Sequence, residues 1–120
     1  MIDIAQLVGR YVATWNDTES AHRRAEIDAI WEPDGRYFDP VNAATGPDQI
    51  DAMISGFHRL HPGVTFRPAG PIDAHHELAR FGWEFGPEAG EPIATGMDVI
   101  AHTANGRLAT VYGFFDPAPS

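Results

Sequence analysis

The sequence predicts an α+β domain in which three helices come first and an antiparallel sheet, curled over them, comes second. Two observations carry that expectation. Up to about residue 60 the apolar side chains recur at the i, i+3, i+4 spacing of one helical face, whereas Val64 to Phe115 alternates in short runs separated by turn signals such as Pro87-Glu88-Ala89-Gly90 and Asn105-Gly106. A third, the length of 120 residues with no linker, internal repeat or low-complexity tract, points to one domain spanning 1–120.

Each element has a local reason. Ile4, Leu7, Val8, Tyr11, Val12 and Trp15 share one face of the first helix, and Asn16-Asp17 ends it. A second helix from about Ser20 to Trp31 turns Ile27, Ile30 and Trp31 inward and leaves His22, Arg23, Arg24 and Glu26 to water. Pro33-Asp34-Gly35 is expected to break it before a short strand, Arg36 to Asp39, that stops at Pro40. Thr45-Gly46-Pro47 opens a third helix, Pro47 to Leu60, with proline in its first turn and Ile50, Met53, Ile54 and Phe57 on its apolar face.

In the second half, Ala79, Phe81, Trp83 and Phe85 alternate with Arg80, Gly82 and Glu84, so that strand has one apolar and aromatic face. Asn105-Gly106 is the hairpin turn between Ile93 to Thr103 and Arg107 to Asp116. Neither of these strands has a polar face. Asp98, Ile100 and His102, with Val111, Gly113 and Phe115, are assigned to the concave side; Met97, Val99, Tyr112 and Phe114 then form an apolar strip on the other. If the helices cover one side only, that strip needs a cover, and a homodimer through the convex face is the expectation. A concentration-independent monomer in sedimentation would exclude it.

Composition narrows the function classes. Eight Lys plus Arg against seventeen Asp plus Glu leave a formal net charge of −9, which repels phosphate backbones and anionic lipid, so neither nucleic acid nor a membrane is expected as a partner. Met1-Ile2-Asp3-Ile4 lacks a cationic start and no apolar run reaches membrane-spanning length, which leads us to expect a soluble, cytoplasmic protein. Without cysteine there are no disulfides, thiolate nucleophiles or cysteine-ligated zinc.

Three residues carry the candidate chemistry. Tyr11 falls on the inward face of the first helix, and Asp98 interrupts an apolar strand on the concave parity. Asp39 closes a strand before Pro40. Each has an ordinary structural reading: Tyr11 as a core aromatic, Asp39 as a turn or cap, Asp98 as a bulge or edge residue reaching water. Buried carboxyl groups are nevertheless costly unless protonated, paired or hydrogen-bonded.

Arg10-Tyr11-Val12-Ala13, Phe38-Asp39-Pro40-Val41 with Gly46, and Met97-Asp98 followed by Asn105-Gly106-Arg107 and Phe115 resemble the ketosteroid isomerase and SnoaL-like branch of the nuclear-transport-factor-2-like superfamily, over nearly the whole chain. The resemblance implies a cone-shaped fold, three N-terminal helices on a curved antiparallel sheet enclosing an apolar cavity. It also implies a cofactor-independent isomerase or cyclase-like enzyme acting on a steroid, terpenoid or polyketide-like carbonyl compound. In that scheme Asp39 is the base, and Tyr11 and a protonated Asp98 donate to the enolate oxygen, as the resemblance to ketosteroid isomerase implies. A binding protein using the same cavity without turnover is the alternative, and a structural dimerisation domain a third. Gly96 stands where the related limonene epoxide hydrolases place an arginine, which disfavours epoxide hydrolysis.

Trp15, Phe38, Phe57, Phe66, Phe81, Trp83, Ile100, His102, Val111 and Phe115 are expected to surround the ligand, His102 as a rim residue. No metal is expected. The histidines His58, His61, His75, His76 and His102 do not make a ligand set, because adjacent residues of a strand point to opposite faces and the step from His58 to His61 falls where the third helix ends. There is no phosphate loop, dinucleotide fingerprint or Gly-x-Ser-x-Gly elbow.

Overall fold

A computed structural model describes residues 2–117, so the expected span of 1–120 runs past it at both ends and Met1 lies outside the described residues. Helices α1 (Ile4–Asn16), α2 (Ser20–Ile30) and α3 (Gly46–Leu60) pack on a six-stranded curved sheet made of β1 (Trp31–Phe38), β2 (Ala43–Thr45), β3 (Val64–His75), β4 (Leu78–Pro87), β5 (Ala94–His102) and β6 (Leu108–Phe115). Among the described residues no helix is long and apolar enough to cross a membrane.

α1 starts where the Asp3 carboxylate accepts the Gln6 N–H and buries Leu7, Val8, Tyr11, Val12 and Trp15, the face its spacing predicts. Its end is pinned by Asn16, whose side chain accepts the Phe66 N–H at 2.8 Å and donates to the Phe66 carbonyl at 2.9 Å. That two-point clasp holds the C-terminus of α1 over β3.

The second helix is shorter than expected, because Trp31 already begins β1. Pro33-Asp34-Gly35 does not break a helix; it forms an irregularity inside β1, where the pairing to β6 shifts register between Trp31 and Arg36. Arg23, expected to be solvated, is 3% exposed: its guanidinium donates to Asp51 at 2.7 Å, to Ser55 at 2.5 Å and to the Asp17 carbonyl at 2.9 Å, clamping α2 to α3. A long cation can occupy an interior position when every donor finds an acceptor.

The sheet order is β2-β1-β6-β5-β4-β3. β3 to β6 form the expected antiparallel meander, but β1 pairs with β6 in parallel, so the sheet is mixed and not wholly antiparallel. The meander starts at the far edge and walks back, and its last strand lands beside β1 after a long crossover that includes α3. The short β2, a strand too brief to leave a periodic signal, caps the opposite edge of β1. On the outer face Met97, Tyr112 and Phe114 are 37%, 44% and 58% exposed, with the half-buried Phe38 stacked on Tyr112 at 6.0 Å and Arg36 over Phe38.

Candidate active site

α1, α3 and the concave face of the sheet converge on a cavity of about 620 Å³. Its walls are mainly aromatic: Trp15 from α1, Phe57 and His61 from α3 and its end, Phe66 from β3, Phe81, Trp83 and Phe85 from β4, and Phe115 from β6. These rings touch edge to face or stack, as in Trp15 against Phe57 and Phe66, Phe66 against Phe85, and Trp83 against Phe115, with centroids 5.2–5.7 Å apart. Tyr11, Tyr37, Asp39, Asn42 and Asp98 bring polar groups to the lining.

Asp98 sits in β5 between Phe81 of β4 and Gly113 of β6. It is 7% exposed, and its Oδ1 accepts the Trp83 indole N–H at 2.9 Å. Gly96 makes that bond possible. A Cβ there would meet the Trp83 ring at 2.3 Å and the Phe114 carbonyl at 2.2 Å, so only glycine lets the indole lie across β5 and reach two residues further on. Burial pushes the Asp98 carboxyl up to about 7; the Trp83 hydrogen bond and the nearness of the Tyr11 hydroxyl oppose this, and the Asp39 charge adds to it.

Tyr11 lies beside Asp98 with its hydroxyl fully buried, and burial, then the Asp98 charge, raises its phenol well above the ordinary range. The hydroxyl has no well-formed hydrogen bond. Among the described residues it shares that condition only with the Trp31 indole nitrogen, which does not line the cavity.

Asp39 is both the turn residue and the cavity residue of the two readings above. Oδ1 accepts the N–H groups of Val41 at 2.9 Å and Asn42 at 2.8 Å, the Asn42 amide lies 3.3 Å from both oxygens, and Oδ2 accepts the Tyr37 hydroxyl at 2.7 Å. Every neighbour is a donor, an arrangement that an ionised carboxylate satisfies. Gly113 lets the groups meet. A Cβ on it would stand 3.2 Å from Asp98 Oδ1, 3.2 Å from the Asp39 Cβ and 3.3 Å from the Tyr37 hydroxyl. Burial, then the Asp98 and Asp39 charges, raises the Tyr37 phenol.

Of the residues expected around a ligand, Tyr11, Trp15, Asp39, Phe57, Phe66, Phe81, Trp83, Asp98 and Phe115 line this cavity. Phe38 does not: it faces outward on Tyr112, because the period of two in β1 turns Tyr37 inward and Phe38 away. Ile100 and Val111 are fully buried core beneath the helices and do not reach the cavity, and His102 is buried with its Nδ1 on the Thr103 carbonyl. Tyr37, missed from sequence, was recoverable: if Asp39 faces inward, so does the residue two before it. His75 and His76 do not point apart as expected, because His76 leaves the strand at φ 52° and the two Nδ1 atoms lie 3.0 Å apart. No group of three or more metal-ligating side chains occurs among the described residues.

The SnoaL-like domain family matches residues 8–111 of this sequence. The chain belongs to the SnoaL-like family. No curated protein matches the sequence. Among solved structures, a candidate isomerase of the SnoaL-like family from Agrobacterium tumefaciens is 33% identical, over 94% of this chain and 97% of that one, with a TM-score of 0.89. A ketosteroid isomerase-like fold from Catenulispora acidiphila, in complex with trimethylamine, has a TM-score of 0.75 at 16% identity over 92% and 85%. A candidate polyketide cyclase from Sinorhizobium meliloti has a TM-score of 0.71 at 15% identity over 90% and 93%. These last two share the fold of this SnoaL-like chain.

Proposed function

We propose that this SnoaL-like protein is a cofactor-independent isomerase or cyclase-like enzyme that moves a proton on the carbon next to a carbonyl, in an apolar steroid, terpenoid or polyketide-like substrate. The observation that carries the reading is the Tyr11 hydroxyl, buried, unpartnered and beside Asp98 at the end of an aromatic cavity that also holds Asp39. A substrate carbonyl oxygen would supply the missing partner. As Asp39 removes the proton, negative charge builds on that oxygen, and Tyr11 and protonated Asp98 stabilise it by donating hydrogen bonds already aimed from a dry site. Trp83 holds Asp98 through one oxygen and leaves the other for the substrate. In this scheme the protein works in the cytoplasm, and a second copy covers Met97, Tyr112 and Phe114.

One observation favours a second reading, a binding protein without turnover: four donor groups already occupy the Asp39 oxygens, which weakens it as a base. Incubation with a β,γ-unsaturated ketone, following the absorbance of the conjugated isomer, separates the two. Enzyme chemistry predicts that Asp39→Asn lowers kcat by roughly 10²–10⁴-fold with ligand affinity kept, and that kcat/KM falls as pH rises through about 7, where Asp98 gives up its proton. Tight binding with no isomer formed by the wild type would establish the second reading.

A further inference from the structure

The mouth of the cavity is built differently from its depth. Val41, Leu60 and Ile93 are 75%, 77% and 63% exposed, yet all three line the cavity. They come from three separate segments: the turn after Asp39, the last turn of α3 and the connection between β4 and β5. The segments at either side are tied down, since Val41 N–H donates to Asp39 at 2.9 Å and Ile93 N–H to the Phe85 carbonyl at 2.8 Å. Large aliphatic side chains scattered singly need no explanation, but three converging on one opening make an apolar collar continuous with the aromatic walls behind it.

Charge narrows the occupant further. Among the described residues no lysine or arginine lines the cavity, whose acidic groups are Asp39, Asp98 and the two phenols, with His61 near the rings of Phe57 and Phe85. An anionic group brought inside would lose its water and face the Asp39 carboxylate without a compensating cation. The unpartnered Tyr11 hydroxyl sets the direction, because it calls for an acceptor at the buried end.

We propose that the ligand is an uncharged carbonyl compound longer than the cavity is deep, entering oxygen first, with its apolar far end lying out through the mouth across Val41, Leu60 and Ile93. The inference rests on the reading of this cavity as the small-molecule site and adds the ligand's charge, length and orientation.

Quenching of tryptophan fluorescence by straight-chain methyl ketones, from about six to about fourteen carbons, and by the carboxylates of equal length tests it, in the wild type and in a Leu60→Ser, Ile93→Ser double variant. Both positions are exposed, so the variant keeps its core. Wild-type affinity is expected to rise about threefold to fourfold per methylene through the longest ketones. In the variant the short ketones bind as before and the rise stops, and carboxylates bind at least about tenfold more weakly than ketones throughout. Long ketones unaffected by the double variant, or carboxylates that match the ketones, would overturn the proposal. Length-dependent binding of the methyl ketones, with no isomer formed from the β,γ-unsaturated ketone, would remove the proton-transfer reading and leave this one standing. Isomerisation of the β,γ-unsaturated ketone, with methyl ketone binding that does not depend on tail length, would do the reverse, and no binding by any ketone would remove both.

Discussion

Two regions of this molecule bury ionisable side chains, and they treat them in opposite ways. Between α2 and α3, Arg23 is 3% exposed and its guanidinium finds Asp51, Ser55 and the Asp17 carbonyl. In the cavity, Asp98 is 7% exposed with a single donor on one oxygen, and the Tyr11 hydroxyl beside it has none. The first arrangement satisfies the charge and ties two helices together. The second leaves hydrogen-bonding capacity open inside apolar walls, where an unmade bond costs most, so the fold carries an energetic debt that a ligand would relieve. Buried polarity therefore marks structure when it is complete and a candidate site when it is not.

Three substitutions can break or sharpen that contrast. The largest effect is expected from Arg23→Ala, which strands Asp51 and Ser55 and should lower unfolding free energy by about 3–5 kcal/mol in urea titration. A loss below about 1 kcal/mol would mean the clamp is ornamental and the contrast false.

Asp98→Asn should act in the other direction. Asp98 ionises at its ordinary value of 3.8 in the unfolded chain and at about 7 in the fold. Between those values the folded state holds a proton that the unfolded chain has released, so wild-type stability falls as pH rises from about 4 to about 7 and is level above. The neutral amide keeps an acceptor for Trp83 and escapes this loss. The variant is expected to be more stable than wild type at pH 8 by a few kcal/mol, ~4 at most, with the advantage gone near pH 4. Parallel stability curves for the two proteins would show that Asp98 is solvated.

Tyr11→Phe is the smallest change and the sharpest. It removes a buried donor that has no partner, so thermal unfolding should show a gain of about 1 kcal/mol. A loss of that size would reveal an internal partner for the hydroxyl and weaken the case for a ligand there.

Much of this was legible along the chain. The apolar face of α1, the proline-led start of α3 and the alternation of β4 follow from local periodicity, which survives packing because each element buries the face its own spacing creates. Arg23 is buried, against expectation, because a cation whose side-chain acceptors lie on another helix has the same local signature as a solvated one. Phe38 faces outward and not into the cavity as expected, because it alternates with Tyr37 and Asp39, which both line the cavity. The strand begins at Trp31, five residues before its expected start at Arg36, because Pro33-Asp34-Gly35 is compatible with a bulge as well as with a break.

The sequence by itself determined the three helices, the α+β class and the three residue types on which the chemistry would rest, since these depend on propensity, spacing and residue identity. Only the tertiary structure decided that β1 lies parallel to β6, that Gly113 brings Asp39, Tyr37 and Asp98 together, and that Tyr11 is left without a partner. Those are relations between residues tens of positions apart, and they are set by how the sheet closes over the helices. No local pattern encodes them, because the free energy that fixes them belongs to contacts that exist only once the chain has folded.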